Sequence, residues 1–180
     1  MNNLALDGIA KKAVCFFAIF SILSGCGNII YRTSGIYKEY SHIESILEPI
    51  NKVRADGTMC GSRYYKPTGH LLWNEMLADT ALQHSLDMAK NGFLSHEGSD
   101  SSSPGERLHR AGYIWTSHGE NIGQGYRTPE DAVRAWLRNE RHCKNIMNPE
   151  FKEAGASFAR SKNLRTYWTL VLGTSKHQLE

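Results

Sequence analysis

The stretch from Asn74 to Gly92 constrains the fold more tightly than any other part of the chain. Asn74 is a strong N-cap residue. Leu77, Ala78, Ala81, Leu82, Ser85, Met88 and Ala89 recur at the spacing of one helical face, and Gly92 ends the pattern. A helix of that length with a single apolar stripe must lie against something flat. The candidate partner comes late in the chain. Thr166 to Gly173, TYWTLVLG, is rich in aromatic and β-branched residues, and Ala154 to Ala159 alternates weakly before it. The polar run Arg160 to Asn163 reads as the turn between them. A further strand starts near Tyr113 and runs toward Trp115. Other helices are expected at Tyr40–Arg54, where Pro49 marks a kink or a start. Another is expected after Ser103-Pro104-Gly105-Glu106, a capping box with Pro at the first helical position, ending at Gly112. Thr128-Pro129-Glu130-Asp131 opens one more, with Val133, Trp136 and Leu137 facing inward. Helices first and strands later point to an α+β fold rather than a regular βαβ alternation.

Composition narrows the class of molecule. The chain has 180 residues, of which 41% are hydrophobic, 22% charged and 10% aromatic. That supports a folded globular chain of one domain with a short appendage. The charge is +3, from 21 Lys+Arg against 18 Asp+Glu, which leaves no electrostatic footprint for nucleic acid.

The N-terminus reads as an address. Lys11 and Lys12 precede an apolar run, Ala13 to Leu23, about half of the ~20 residues that span a bilayer. Leu23-Ser24-Gly25-Cys26 follows and resembles a bacterial lipobox. The resemblance implies cleavage of a 1–25 signal peptide and acylation of Cys26. Residues 26–40 are then a lipidated tether, 41–175 the folded domain and 176–180 a tail. Two or more acyl chains anchor stably where one is marginal. Gly27 stands where Asp would resemble an inner-membrane retention signal, so the expected location is the cell envelope, at the outer membrane where the cell has one. Cys15 leaves with the signal. Cys60 and Cys143 remain in an oxidising compartment, where an even pair reads as one disulfide. Two free buried thiols are the alternative. A bridge would close a loop of roughly 84 residues, worth roughly 4–5 kcal/mol in the chain-entropy account.

Three segments place polar residues where core packing does not explain them: Ser95-His96-Glu97, His118-Gly119-Glu120-Asn121 and Glu140-Arg141-His142-Cys143. All three are expected at element ends, where functional groups gather. Two histidines with a carboxylate can bind Zn²⁺ or a similar ion, or share a proton in acid–base work. The chain carries no His-Glu-x-x-His, Gly-x-Ser-x-Gly, P-loop or Gly-x-Gly-x-x-Gly motif. Scattered structural histidines are the competing reading. His84 reads as a packing residue of the long helix. His118 would share a strand face with Glu120 and could join a site. Asn121 reads as a loop anchor. Ser95–His96 and His142–Cys143 are sequence neighbours that point apart, so neither makes a good nucleophile–base pair. The four tryptophans read as core. Arg134, Arg138, Arg141 and Lys144 read as a solvated face.

The ordered set Asn51-x-x-Arg54, Leu72-x-Asn74…Leu77-Ala78…Ala81…His84, Ser95-His96, Gly119-Glu120-Asn121, Trp136…His142-x-x-Asn145-Ile146-Met147-x-Pro149, Gly155 and Tyr167-Trp168-Thr169 resembles the CAP superfamily. These are the cysteine-rich secretory, antigen-five and pathogenesis-related proteins, also called SCP-domain proteins. The match spans roughly residues 43–173 and is closest to the short bacterial form. Cys60-Gly61 together with His142-Cys143 also looks like that form, which supports the disulfide. The resemblance implies an α-β-α sandwich with a central antiparallel sheet flanked by helices. It also implies a cleft holding two histidines and two glutamates. His96 matches the first histidine, Glu120 the glutamate of the Gly-Glu-Asn motif, and His142 the second histidine. The second glutamate falls on Asn139; Glu140 beside it would point about 100° away around a helix. His96 and His142 are thus the expected ligands of a divalent metal, Zn²⁺ or similar. Family membership is expected to fix fold better than activity. The reading favoured is a non-enzymatic module that binds a small ligand, lipid or partner protein. The alternatives are a metal-assisted hydrolase or peptidase with Glu120 as general base, and an interaction domain with a relic cleft.

Overall fold

The computed structural model describes residues 30–33, 36–39 and 43–176. The signal segment, Cys15, Cys26, His42 and His177 lie outside them.

The sheet is built around two long neighbours. β7 (Glu153–Arg160) and β8 (Thr166–Ser175) pair antiparallel along their length, and β6 (Trp115–Gln124) pairs antiparallel with the far side of β8. The other edge of β7 is shared. Near one end it takes β5 (Leu72–Trp73) in parallel, and near the other it takes β2 (Ile36–Glu39), which pairs in turn with β1 (Ile30–Thr33). The strand order is therefore β1-β2-β7-β8-β6, with β5 beside β7. Part of the stretch read as a tether is thus strand, and the fold begins before residue 41. Its Ile and Tyr content suits a strand. The turn after β7 falls at Ser161–Arg165, later than the run Arg160–Asn163 suggests, with Leu164 in the left-handed region at φ 63°.

Alternation along the central strands sends side chains to two faces, and helices cover both. On one face Ala154, Ala156, Phe158, Trp168, Leu170 and Leu172 pack with Ile46, Ile50, Val133, Trp136 and Ile146. These last come from a 3₁₀ turn (Ile43–Ile46), α1 (Leu47–Asp56), α4 (Pro129–Arg138) and α5 (Glu140–Ile146). Pro49 is the third residue of α1, in the first turn, where its missing N–H costs nothing. The opposite face carries α2 (Glu75–Asn91) and α3 (Pro104–Arg110). There Leu77, Ala81, Leu108, Tyr113 and Val171 form one cluster, and Met88, Ala89, Ile122, Ala159 and Tyr167 another. This is an α+β, α-β-α sandwich.

The caps are those the sequence spells. Asn74 accepts from the amides of Met76 and Leu77. Ser103 and Glu106 form a reciprocal capping box, and Thr128 accepts from Asp131. α2 lies directly on the sheet because β7 has a glycine there. A Cβ on Gly155 would stand 2.1 Å from the Ala78 nitrogen.

Two tethers join distant segments. Cys60 and Cys143 are bridged, with Cα atoms 5.5 Å apart and a separation of 83 in sequence. The bridge fastens a small hairpin, β3 (Thr58–Cys60) with β4 (Arg63–Tyr65), to α5. Arg54 is fully buried and donates to the carbonyls of Gly69, Ile146, Asn148 and Phe151 at 2.6–3.2 Å. Burial pulls its pKa down from 12.5 to about 10, so it remains a cation at neutral pH.

Candidate functional site

β6 ends the strand order, and its alternation decides where the polar residues of its middle go. His118, Glu120 and Ile122 face α2 and α3, whereas Gly119, Asn121 and Gly123 face the α4–α5 side. A Cβ on Gly119 would press on the Phe151 ring at 2.8 Å, and one on Gly123 on the Tyr126 ring at 2.4 Å. The expectation that these residues sit at an element end is corrected here. They lie mid-strand, because rings from the opposite face fill the places that glycine leaves open.

Glu120 is the centre of the arrangement on the α2–α3 side. Its side chain is 2% exposed. One oxygen, Oε1, lies 2.8 Å from His96 Nδ1, and the other, Oε2, accepts from Arg107 at 2.7 Å. His84 Nε2 stands 3.8 Å from Oε1. The backbone carbonyl of Ser95 lies 2.8 Å from the same His84 nitrogen, which therefore carries the proton and donates. Burial pushes the His84 pKa down. His96 reaches Glu120 from the loop after α2, and its side chain is 51% exposed. An ionised carboxylate only accepts, so Nδ1 carries the proton in the neutral ring and Nε2 is left free. Arg107 also donates to the carbonyls of His96 and Ser102, at 3.0 and 2.8 Å.

The other half of the site comes around the edge of β6. Helix α4 stops at Arg138, and α5 begins at Glu140. His142 is the third residue of α5, so the segment does lie at an element end, just past the point where α4 gives out. Asn139 makes the break. Its Oδ1 caps α5 by accepting from the amides of Arg141 and His142. From the strand, Asn121 donates to the His142 carbonyl at 3.1 Å, and Asn145 donates to the Glu120 carbonyl and to Asn121 Oδ1. His142 is half-buried. Burial pushes its pKa down, and the nearby His96 imidazole acts in the same direction.

The structure thus brings His96, Glu120 and His142 to one sheet edge, with Glu120 behind His96. Of the remaining expected cleft residues, His118 shares the strand face of Glu120 and feels its charge, while Asn139 and Glu140 are engaged elsewhere. Asn139 spends its oxygen on the cap. Glu140 is exposed and pairs with Lys144 at 2.5 Å. His118 turns to the Trp115 ring, edge-on at 4.3 Å between centroids, and to Gly105. Asn121 anchors α5 rather than a loop of its own. Two participants escaped the sequence reading, Arg107 and the second role of His84. The available signal for Arg107 was a charged residue beside Leu108 on the inward face of a short helix, a place that demands a partner.

Among the described residues no three His, Cys, Asp or Glu side chains are arranged to hold a metal ion. The donor set that is present is two imidazoles. His96 presents Nε2 with Glu120 bonded behind it, the arrangement usual for a metal-bound histidine. Structural zinc takes four protein ligands and catalytic zinc three, so two imidazoles fit only an ion that completes its shell from outside the chain. Glu120 has both oxygens engaged and almost no exposed surface. Both oxygens are committed to neighbouring side chains, so in this arrangement the carboxylate orients His96.

The family model described as "Cysteine-rich secretory protein family" matches residues 47–172. A relative from Bacillus subtilis (strain 168), "Uncharacterized protein YkwD", is 34% identical over 96 residues, covering 53% of this chain and 36% of that protein. The chain thus spans about a third of that relative's length. Among solved structures, an extracellular protein containing a SCP domain from Bacillus anthracis str. Ames superposes with a TM-score of 0.62 at 26% identity, covering 73% of this chain and 40% of that one. An outer surface protein of Borrelia burgdorferi gives 0.60 at 17% identity, covering 74% and 90%, and shares the fold.

Proposed function

Because this chain belongs to the CAP family of cysteine-rich secretory proteins, and its clustered polar site is built to present rather than to transfer protons, we propose that it is a lipid-anchored cell-envelope binding module. The occupant of its cleft is a small ligand or a partner group seen by His96 and His142, with a divalent ion such as Zn²⁺ as the first candidate. The observation that carries this reading is the Glu120–His96 bond at 2.8 Å, which orients a half-exposed imidazole whose charge the half-buried His142 feels. A bound ion would supply a positive centre with open positions for an oxygen-bearing ligand. The chain's own part is to aim the imidazole nitrogens. His142 is kept deprotonated by burial. His96 is kept in one tautomer by Glu120.

The anchor rests on Lys11, Lys12, the apolar run and Leu23-Ser24-Gly25-Cys26. The relative from Bacillus anthracis is described as extracellular, which agrees with export. Native mass spectrometry tests the site: the full chain, wild type beside His96→Ala/His142→Ala, is titrated with zinc. One ion per wild-type chain, absent from the double variant, is expected. Equal zinc uptake by both proteins counts against the site. Metabolic labelling with palmitate, lost in Cys26→Ala, tests the anchor.

A further inference from the structure

Resting on the two-histidine reading above, we infer that Arg107 is the positioning residue of the site, fixing through Glu120 and the loop backbone which nitrogen His96 presents. The guanidinium grips the His96 residue at two places. Nη1 donates to its backbone carbonyl at 3.0 Å and to that of Ser102 at 2.8 Å, which fixes the loop. Nη2 donates to Glu120 Oε2 at 2.7 Å, which leaves Oε1 facing His96 Nδ1. A carboxylate held by one oxygen alone could turn about its terminal bond, and the imidazole would follow it. Held by both, it has one orientation, and the ring has one tautomer.

The clamp is built on a rigid element. Arg107 sits in α3, whose start is locked by the Ser103–Glu106 capping box and Pro104, and Leu108 beside it is fully buried. Its side chain is 9% exposed. Lysine cannot replace it. An ammonium is a point donor, whereas this site needs a planar fork reaching a carboxylate and two carbonyls at once.

The test is a long-range ¹H–¹⁵N imidazole correlation on the ¹⁵N-labelled full chain at a pH where the rings are neutral, followed by zinc titration. Wild type, Arg107→Lys and Glu120→Gln are compared, with thermal melts to confirm that each is folded. In wild type, His96 is expected wholly in the Nδ1–H form. In Arg107→Lys it should populate both tautomers, with zinc affinity ten- to hundredfold weaker, the usual effect of losing an outer-shell partner. Glu120→Gln should give the same signature while keeping the side chain's shape, so the question survives if Arg107→Lys fails to fold. Combining the two changes should add nothing further. An Nε2–H form in wild type overturns the inference. So does a folded Arg107→Lys with an unchanged His96 spectrum. If the tautomer shifts as expected but wild type takes up no zinc, positioning stands and the metal reading falls.

Discussion

Removing the Cys60–Cys143 bridge should destabilise the fold severely. The perturbation is Cys60→Ala/Cys143→Ala. The residues joined are 83 apart in sequence, and both are fully buried between the β3–β4 hairpin and α5. A cross-link closing a loop of that length removes entropy from the unfolded chain worth about 4.6 kcal/mol at 25 °C. For a domain of this size, roughly 3–4 °C of melting temperature accompanies each kcal/mol, so a fall of roughly 14–18 °C is expected. The denaturant slope should also rise, since an untethered unfolded chain exposes more surface. Calorimetry and guanidinium unfolding of both proteins measure these quantities. A loss below about 1 kcal/mol would refute the reasoning, because it would mean that the unfolded ensemble is already held together by something other than the bridge. Because His142 precedes Cys143 on α5, zinc affinity should fall with the bridge while the fold persists.

Three other changes test the packing and the protonation states. Arg54→Met should cost about 3–5 kcal/mol, read by chemical denaturation, because it strands carbonyls that a buried cation now serves, and Arg54→Lys should recover only part. Gly155→Ala should destabilise by about 3 kcal/mol or more, because the added methyl meets the α2 backbone and not a movable side-chain tip. Acidification should weaken the fold. Burial lowers the folded-state pKa of His84, His118 and His142 below 6.5, so the unfolded chain takes up more protons in that window. The stability they contribute is present above about pH 6.5 and is lost as pH falls toward their folded values. Denaturation midpoints at pH 7.5 and 5.5 check the sign, and a higher midpoint at 5.5 would contradict it.

What could be read in the sequence, and what could not, divides along a physical line. Helix termini were legible at Asn74, Ser103 and Thr128 because caps are local chemistry. The two central strands were legible because β-branched and aromatic residues crowd Thr166–Gly173. β6 was visible only at its start. Its Gly119 and Gly123 look like breakers, yet they are places where Phe151 and Tyr126 rings lie against the strand, a fact of tertiary packing alone. The β3–β4 hairpin and the short β5 carry no alternation long enough to register. α5 was missed as a separate helix because one residue, Asn139, both ends α4 and caps α5. At the site, the segments holding the histidines and Glu120 stood out as polar residues that core packing did not explain, and the family resemblance gave them their roles. Arg107 did not stand out, because a single arginine acquires meaning only when α3 folds it under the loop bearing His96.

The account's central claim is that His96 and His142 form one ligand-presenting site at the open edge of the sheet. Anomalous diffraction at the zinc edge, from crystals of the protein grown with zinc, tests it most directly. A single strong peak about 2.0–2.1 Å from a nitrogen of each imidazole is predicted, on Nε2 in the case of His96, with Glu120 still bonded to Nδ1. Peaks only at other side chains, or a zinc bonded to Glu120 in place of His96, would contradict it.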